Sequence, residues 1–208
     1  MGCAAPHPFH WDDLRNCAVD RVIAREGVTL SKTGNGYELT FLNAVYEIDP
    51  AAERINEISP DPSRELTEMF QILLIQYLLA PIGSPIDGKD ISEKDCPGGV
   101  TFFQGPHALY VRPIAKLYGR NPDAFEERGR DLNAVPVSHG DAAMRFFPFP
   151  EIPVTYVLWA ADDEFPASVS VLFDSSITRW FELDMIFSLV WVVTERIVEG
   201  GQLGEGIA

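Results

Sequence analysis

TYVLWAADDEFPASVSVLF, residues 155–173, decides the fold class. It divides into TYVLWAA (155–161) and ASVSVLF (167–173), two apolar runs of strand length. DDEFP (162–166) joins them, and its acids and proline favour a turn. Asp174, Ser175 and Ser176 follow. These residue types cap helix N-termini, so a long apolar helix is expected from there to about residue 200. A hairpin closed by a helix is the signature of an antiparallel sheet with helices laid against it.

The rest of the chain fits the same class. AMRFF (143–147) reads as a short strand stopped by Pro148 and Pro150. Nearer the start, GNG (34–36) leads into YELTFLNAVYEID (37–49), read as two or three antiparallel strands with Asn35-Gly36 as a hairpin turn. Leu66, Met69, Phe70, Leu73, Leu74, Tyr77 and Leu78 recur at helical spacing. Asp61-Pro62 is expected to cap that helix, and Pro81 and Gly83 to end it. Further helices are expected over residues 10–26, 107–118 and 123–132. Residues 81–104 read as a long Pro- and Gly-rich loop. The expectation is one α+β domain over residues 1–208, with a mostly antiparallel sheet, two very apolar helices packed on it, and loose ends at 1–9 and 201–208.

Charge sets limits on partners. Thirty-one acidic residues stand against sixteen basic ones, a net charge of −15. Phosphate backbones and anionic membranes need clustered Lys and Arg, so neither nucleic acid nor a membrane is an expected partner. The two most apolar segments, 66–80 and 180–193, are shorter than the ~20 residues of a span and carry acids such as Glu68 and Asp184. Cys3, Cys17 and Cys96 are too few and too widely spaced for a disulfide framework. The opening MGCAAPHPFH has no apolar signal core, and a cytoplasmic location is expected.

LWAADDEFPASVSVLFDSSI (158–177), GDAA (140–143) and CPGG (96–99) followed by GVTFFQG together carry a resemblance. They resemble an uncharacterised family of bacterial and archaeal domains, many from anaerobes, catalogued only as a domain of unknown function. Some members are fused to a small iron–sulfur domain of the kind seen in corrinoid-dependent one-carbon enzymes. The resemblance implies anaerobic metabolism near corrinoids or metal centres. It transfers no catalytic residue, and this chain lacks the closely spaced cysteines of an iron–sulfur module.

Candidate site residues fall in three places. In the glycine-rich loop, Cys96 is a candidate thiol nucleophile and His107 its base or a metal ligand, with Gly98 and Gly99 shaping a binding loop. In the HGD turn, His139 and Asp141 are candidates for ligand or metal contact; the alternative is that Asp141 caps a segment. In the hairpin loop, Asp162, Asp163 and Glu164 are candidate oxygen ligands for a divalent cation; the alternative is a solvated turn. Cys3, His7, His10 and Cys17 resemble zinc ligands superficially, at a spacing that fits no standard finger. P-loop, dinucleotide, zincin and serine-hydrolase signatures are absent.

Three functions remain. The first is an accessory or binding protein, with a pocket among residues 81–107, the HGD turn and the DDEF hairpin. Its ligand would be a small molecule such as a tetrapyrrole or corrinoid, or a metal-bearing partner. The second is a metal-assisted hydrolase using His107, Asp141 and the Asp162 cluster. The third is an acidic protein-interaction module, with a homodimer as a variant.

Overall fold

A computed structural model describes residues 10–58, 66–81 and 85–199. In chain order the elements are α1 (Trp11–Asn16), α2 (Val19–Ile23), β1 (Val28–Leu30), β2 (Tyr37–Phe41), β3 (Ala44–Asp49), β4 (Arg54–Glu57), α3 (Glu68–Leu79), β5 (Asp90–Ser92), α4 (Gly99–Phe102), α5 (Arg112–Tyr118), α6 (Pro122–Asp131), β6 (Val135–Pro136), β7 (Ala142–Phe149), β8 (Ile152–Trp159), β9 (Ser168–Asp174), α7 (Ile177–Trp180) and α8 (Leu183–Glu199). The fold is α+β and every strand pair is antiparallel.

The strands divide between two sheets. β1-β2-β3-β4 form a meander, and the second sheet has the order β5-β9-β8-β7-β6. In the meander, Leu39 faces Tyr46 and Tyr37 faces Ile48. All four are buried, as alternation on a half-buried sheet requires. The β1–β2 loop is longer than a two-residue turn, because Leu30 pairs with Tyr37. Its positive φ angles fall at Gly34 and Gly36 rather than at Asn35. At Gly36 a Cβ would come within 2.0 Å of the Ile48 carbonyl oxygen, so only glycine lets the two backbones meet.

The β2–β3 turn joins the sheets. Leu42 sits there at φ 53, a left-handed conformation that costs a non-glycine residue about 1–2 kcal/mol. The turn is held because Leu42 is buried and its amide donates to the Pro148 carbonyl at 2.9 Å. Burying a leucine side chain yields about 1.5–3 kcal/mol, enough to offset the strain. Pro148 does not stop β7 as expected. The register shifts between Phe146 and Phe149, and that bulge takes up a residue with no N–H to donate.

Helices α3 and α8 touch both sheets. Phe70 of α3 meets Phe41 and Tyr46 edge-on at 4.8 and 5.1 Å, while Tyr77 stacks on Phe149 at 4.0 Å. Tyr156 of β8 donates its hydroxyl to the Val190 carbonyl of α8 at 3.0 Å. Arg196 of α8 reaches the Tyr46 hydroxyl at 2.6 Å. One contiguous apolar cluster therefore runs from the meander through both helices to the second sheet.

Several expected elements differ. The helix over residues 10–26 is two short ones, because Cys17 and Ala18 adopt extended backbone. The break lets Trp11, Leu14 and Val22 all reach the core while Ala18 stays exposed. α3 is capped by Thr67, whose Oγ1 accepts from the Phe70 amide at 3.3 Å. Asp61, Pro62 and Gly83 lie outside the described residues. The expected final helix is interrupted at Phe181 (φ −136, ψ 143), giving α7 and α8. Ser176 makes no side-chain cap; Asp174 instead accepts from the amides of Asp87, Gly88 and Ser176. Among the described residues no helix is long and apolar enough to cross a membrane.

Candidate functional site

The glycine-rich loop is a strap along α8. Ser92 and Asp95 form a capping box, which turns the chain into a short 3-10 segment ahead of Cys96. Gly99 then passes so close to that segment that a Cβ would lie 1.9 Å from the Glu93 carbonyl oxygen. Gly98 caps α4 at φ 81, a left-handed conformation natural to glycine. Beyond α4, the His107 ring stacks on Phe102 at 4.7 Å and meets the edge of Phe187 at 5.9 Å. Tyr110 stacks on Trp191 at 3.9 Å. Gly98, Gly99 and His107 thus serve to lay the strap on the helix.

Cys96 is buried, with Sγ 3.9 Å from the Ser92 carbonyl oxygen. Burial, with Asp95 and Glu93 nearby, pushes its thiol up, away from the thiolate a nucleophile requires. In the native protein at pH 8, iodoacetamide is expected to label half-buried Cys17 well before Cys96. Peptide mass spectrometry against a urea-denatured control reads this. Equal labelling of Cys96 in native and denatured protein would contradict its burial.

The HGD turn and the hairpin are built by backbone hydrogen bonds to carboxylates. Asp141 accepts from the Ala160 amide at 2.7 Å, clasping the end of β8. Asp162 accepts from the amides of Glu164 and Phe165 at 2.8 and 2.6 Å, and these bonds hold its carboxyl below the usual range. Asp163 and Glu164 are exposed. His139 does approach the 81–107 segment, its Nε2 lying 4.0 Å from Asp90. Asp90 is held by the Arg145 guanidinium at 2.8 and 3.0 Å, and Arg145 also donates to Thr155 at 3.0 Å. This network ties the three-residue β5 across the sheet.

No group of three or more His, Cys, Asp or Glu among the described residues is arranged to hold a metal ion. The expected cluster of His107, Asp141, Asp162, Asp163 and Glu164 is therefore not assembled. Asp141 and Asp162 are engaged by amides, and His107 by aromatic rings. Of the zinc-like set, Cys3 and His7 lie outside the described residues.

A different place has the character of a site. The α3 C-terminus and the α7–α8 break border an open cavity of about 610 Å³, edged by His10. Volumes of this order suit small organic ligands. Ile72, Leu79 and Met185 give it apolar walls, and Gln76, Glu182 and Asp184 polar ones. Trp180 lines it and is only 5% exposed, and its indole Nε1 is buried with no hydrogen-bond partner among the described residues. Such an orphaned donor costs about 1–3 kcal/mol. The ring lies 5.8 Å from Tyr77 at 25°, a looser stack than Tyr77 makes with Phe149. Arg25 is a second such case: Nε donates to the Tyr77 carbonyl at 2.7 Å, while one terminal nitrogen is buried without a partner among the described residues. A second cavity, about 730 Å³ between α1 and the β1–β2 loop, has no such orphan in its walls among the described residues. Sequence reasoning missed the α3–α7–α8 site because neither Pro nor Gly marks the break at Phe181 that opens it.

A family profile described as a domain of unknown function (DUF3786) matches residues 19–196. The chain belongs to this family. The DUF3786 match takes in both sheets, α3, α7 and all but the end of α8. Every wall of the cavity except His10 lies within it. No curated protein and no solved structure matches the chain.

Proposed function

We propose that this DUF3786 chain is a binding or accessory protein that takes a small organic molecule into the cavity between α3 and the α7–α8 break. The observation that carries this reading is that Trp180 lines the cavity while its indole N–H is buried without an acceptor among the described residues. Interiors ordinarily leave very few such donors unpaired, and a ligand oxygen is one way to complete this one. Apolar walls with a few polar groups favour an organic ligand over a bare metal ion.

The test is a ligand-observed NMR fragment screen on the full chain, repeated on Ile72→Trp, which fills the cavity. Fragments that bind the wild-type chain and lose contact with the variant are the expected result. A screen in which no hit is sensitive to the Ile72→Trp substitution would overturn the reading.

A further inference from the structure

Resting on that reading of the cavity, we infer that its ligand is an amphipathic organic cation that also carries a hydrogen-bond acceptor, rather than a carboxylate-bearing molecule. Three observations converge. The apolar walls require an apolar body: Ile72, Leu79, Pro81, Phe181 and Met185 all line the space. The orphaned Trp180 N–H requires an acceptor. The charges around the space favour a cation over an anion.

The charge inventory is specific. Glu182 and Asp184 line the cavity, and no partner is seen for the Glu182 carboxylate among the described residues. Among the described residues Asp184 accepts only from the adjacent Met185 amide, at 2.9 Å. Arg179, the guanidinium on the wall, is already paired: its two terminal nitrogens hold both oxygens of Asp87 at 2.9 Å, and one of them also donates to the Pro85 carbonyl at 2.8 Å. His10 is bonded through Nδ1 to Asp13 at 2.8 Å. The wall thus carries two carboxylates with no cationic partner among the described residues, Glu182 and Asp184, and one guanidinium whose charge Asp87 already offsets. The start of α8 contributes a partial positive charge of about one half, too little to reverse the sign. The net charge of −15 acts in the same direction at longer range.

The indole N–H is closed off in the present conformation, so a ligand acceptor meets it only when the ring turns from Tyr77 toward the cavity. The stack on Tyr77 at 5.8 Å is the contact that such a turn would break. Tryptophan fluorescence from position 180 should therefore change on binding.

Two probes with the same apolar body separate the alternatives: dansylcadaverine, an amine, and dansylglycine, a carboxylate. The expected result is that dansylcadaverine binds the full chain at least tenfold more tightly and perturbs emission that Trp180→Phe removes. The double substitution Glu182→Gln, Asp184→Asn should reduce that preference to about threefold or less, while Trp180→Phe weakens both probes and leaves their ratio unchanged. Dansylglycine binding as well as or better than the amine would overturn the cation assignment and leave the cavity reading intact. A preference that survives the double substitution would overturn the role of those two carboxylates, and with it this inference. If neither probe binds in a manner sensitive to Ile72→Trp, the cavity reading itself falls.

Discussion

Phe149→Ala is expected to destabilise the protein by about 3–5 kcal/mol, the range for removing a buried aromatic ring. Phe149 is fully buried where the two sheets meet. Its ring packs edge-on to Phe41 of the meander at 5.2 Å and stacks on Tyr77 of α3 at 4.0 Å. It also touches Phe181, at the α7–α8 break, at 6.2 Å. Removing it opens a void bordered by both sheets and by α3, and such a void collapses poorly because its walls are tied by backbone hydrogen bonds such as Leu42 to Pro148. Urea unfolding followed by circular dichroism measures the loss. A decrease below about 1 kcal/mol would mean that the sheets are not joined through this ring.

Asp174→Ala is expected to cost about 3 kcal/mol, because it removes a buried charged acceptor and strands several amides at once. The carboxylate is 4% exposed and accepts from the amides of Asp87, Gly88 and Ser176 at 2.9, 2.7 and 2.9 Å. Burial works to raise its pKa; the hydrogen bonds from Ser176, Asp87 and Gly88 outweigh it and hold the group below its ordinary value. A depressed carboxyl stabilises the fold fully above the unfolded pKa, about 3.9, and progressively less as pH falls through the folded value. The stability gap between wild type and Asp174→Asn should therefore be constant near neutral pH and shrink below about pH 4. A gap that persists unchanged into stronger acid would show that the charge contributes nothing. Because Asp174 holds Asp87, which in turn engages Arg179 beside the cavity, the Ala variant should also loosen residues 85–90 in hydrogen exchange.

Legibility in the sequence followed the range of the interaction. β8 and β9 were readable because alternating and continuous apolar runs report burial residue by residue, and the helical stripe from Phe70 to Leu78 did the same for α3. β5 was not readable. Asp90, Ile91 and Ser92 have no strand pattern of their own, and they pair only because β9 offers an open edge. The interruption at Phe181 was hidden for a similar reason. It leaves Phe181 buried beside Phe149, a packing demand that no nearby residue announces. The candidate site inverted in the same way. Asp141 and Asp162 are acids at turns, and turn and capping chemistry accounts for both. Trp180 and Glu182 looked like ordinary helix residues until the break placed them on a cavity wall.

By itself the sequence determined the α+β class, the antiparallel hairpins, the acidity and the family-like blocks. Each of these depends on residue type and on periods of two or 3.6 residues, both of which are local. Only the tertiary structure decided that the strands part into two sheets, that the glycine-rich segment straps α8, and that one indole N–H is left without a partner among the described residues. Those outcomes depend on which distant groups arrive within hydrogen-bonding or van der Waals reach, and that is settled only when the whole core closes.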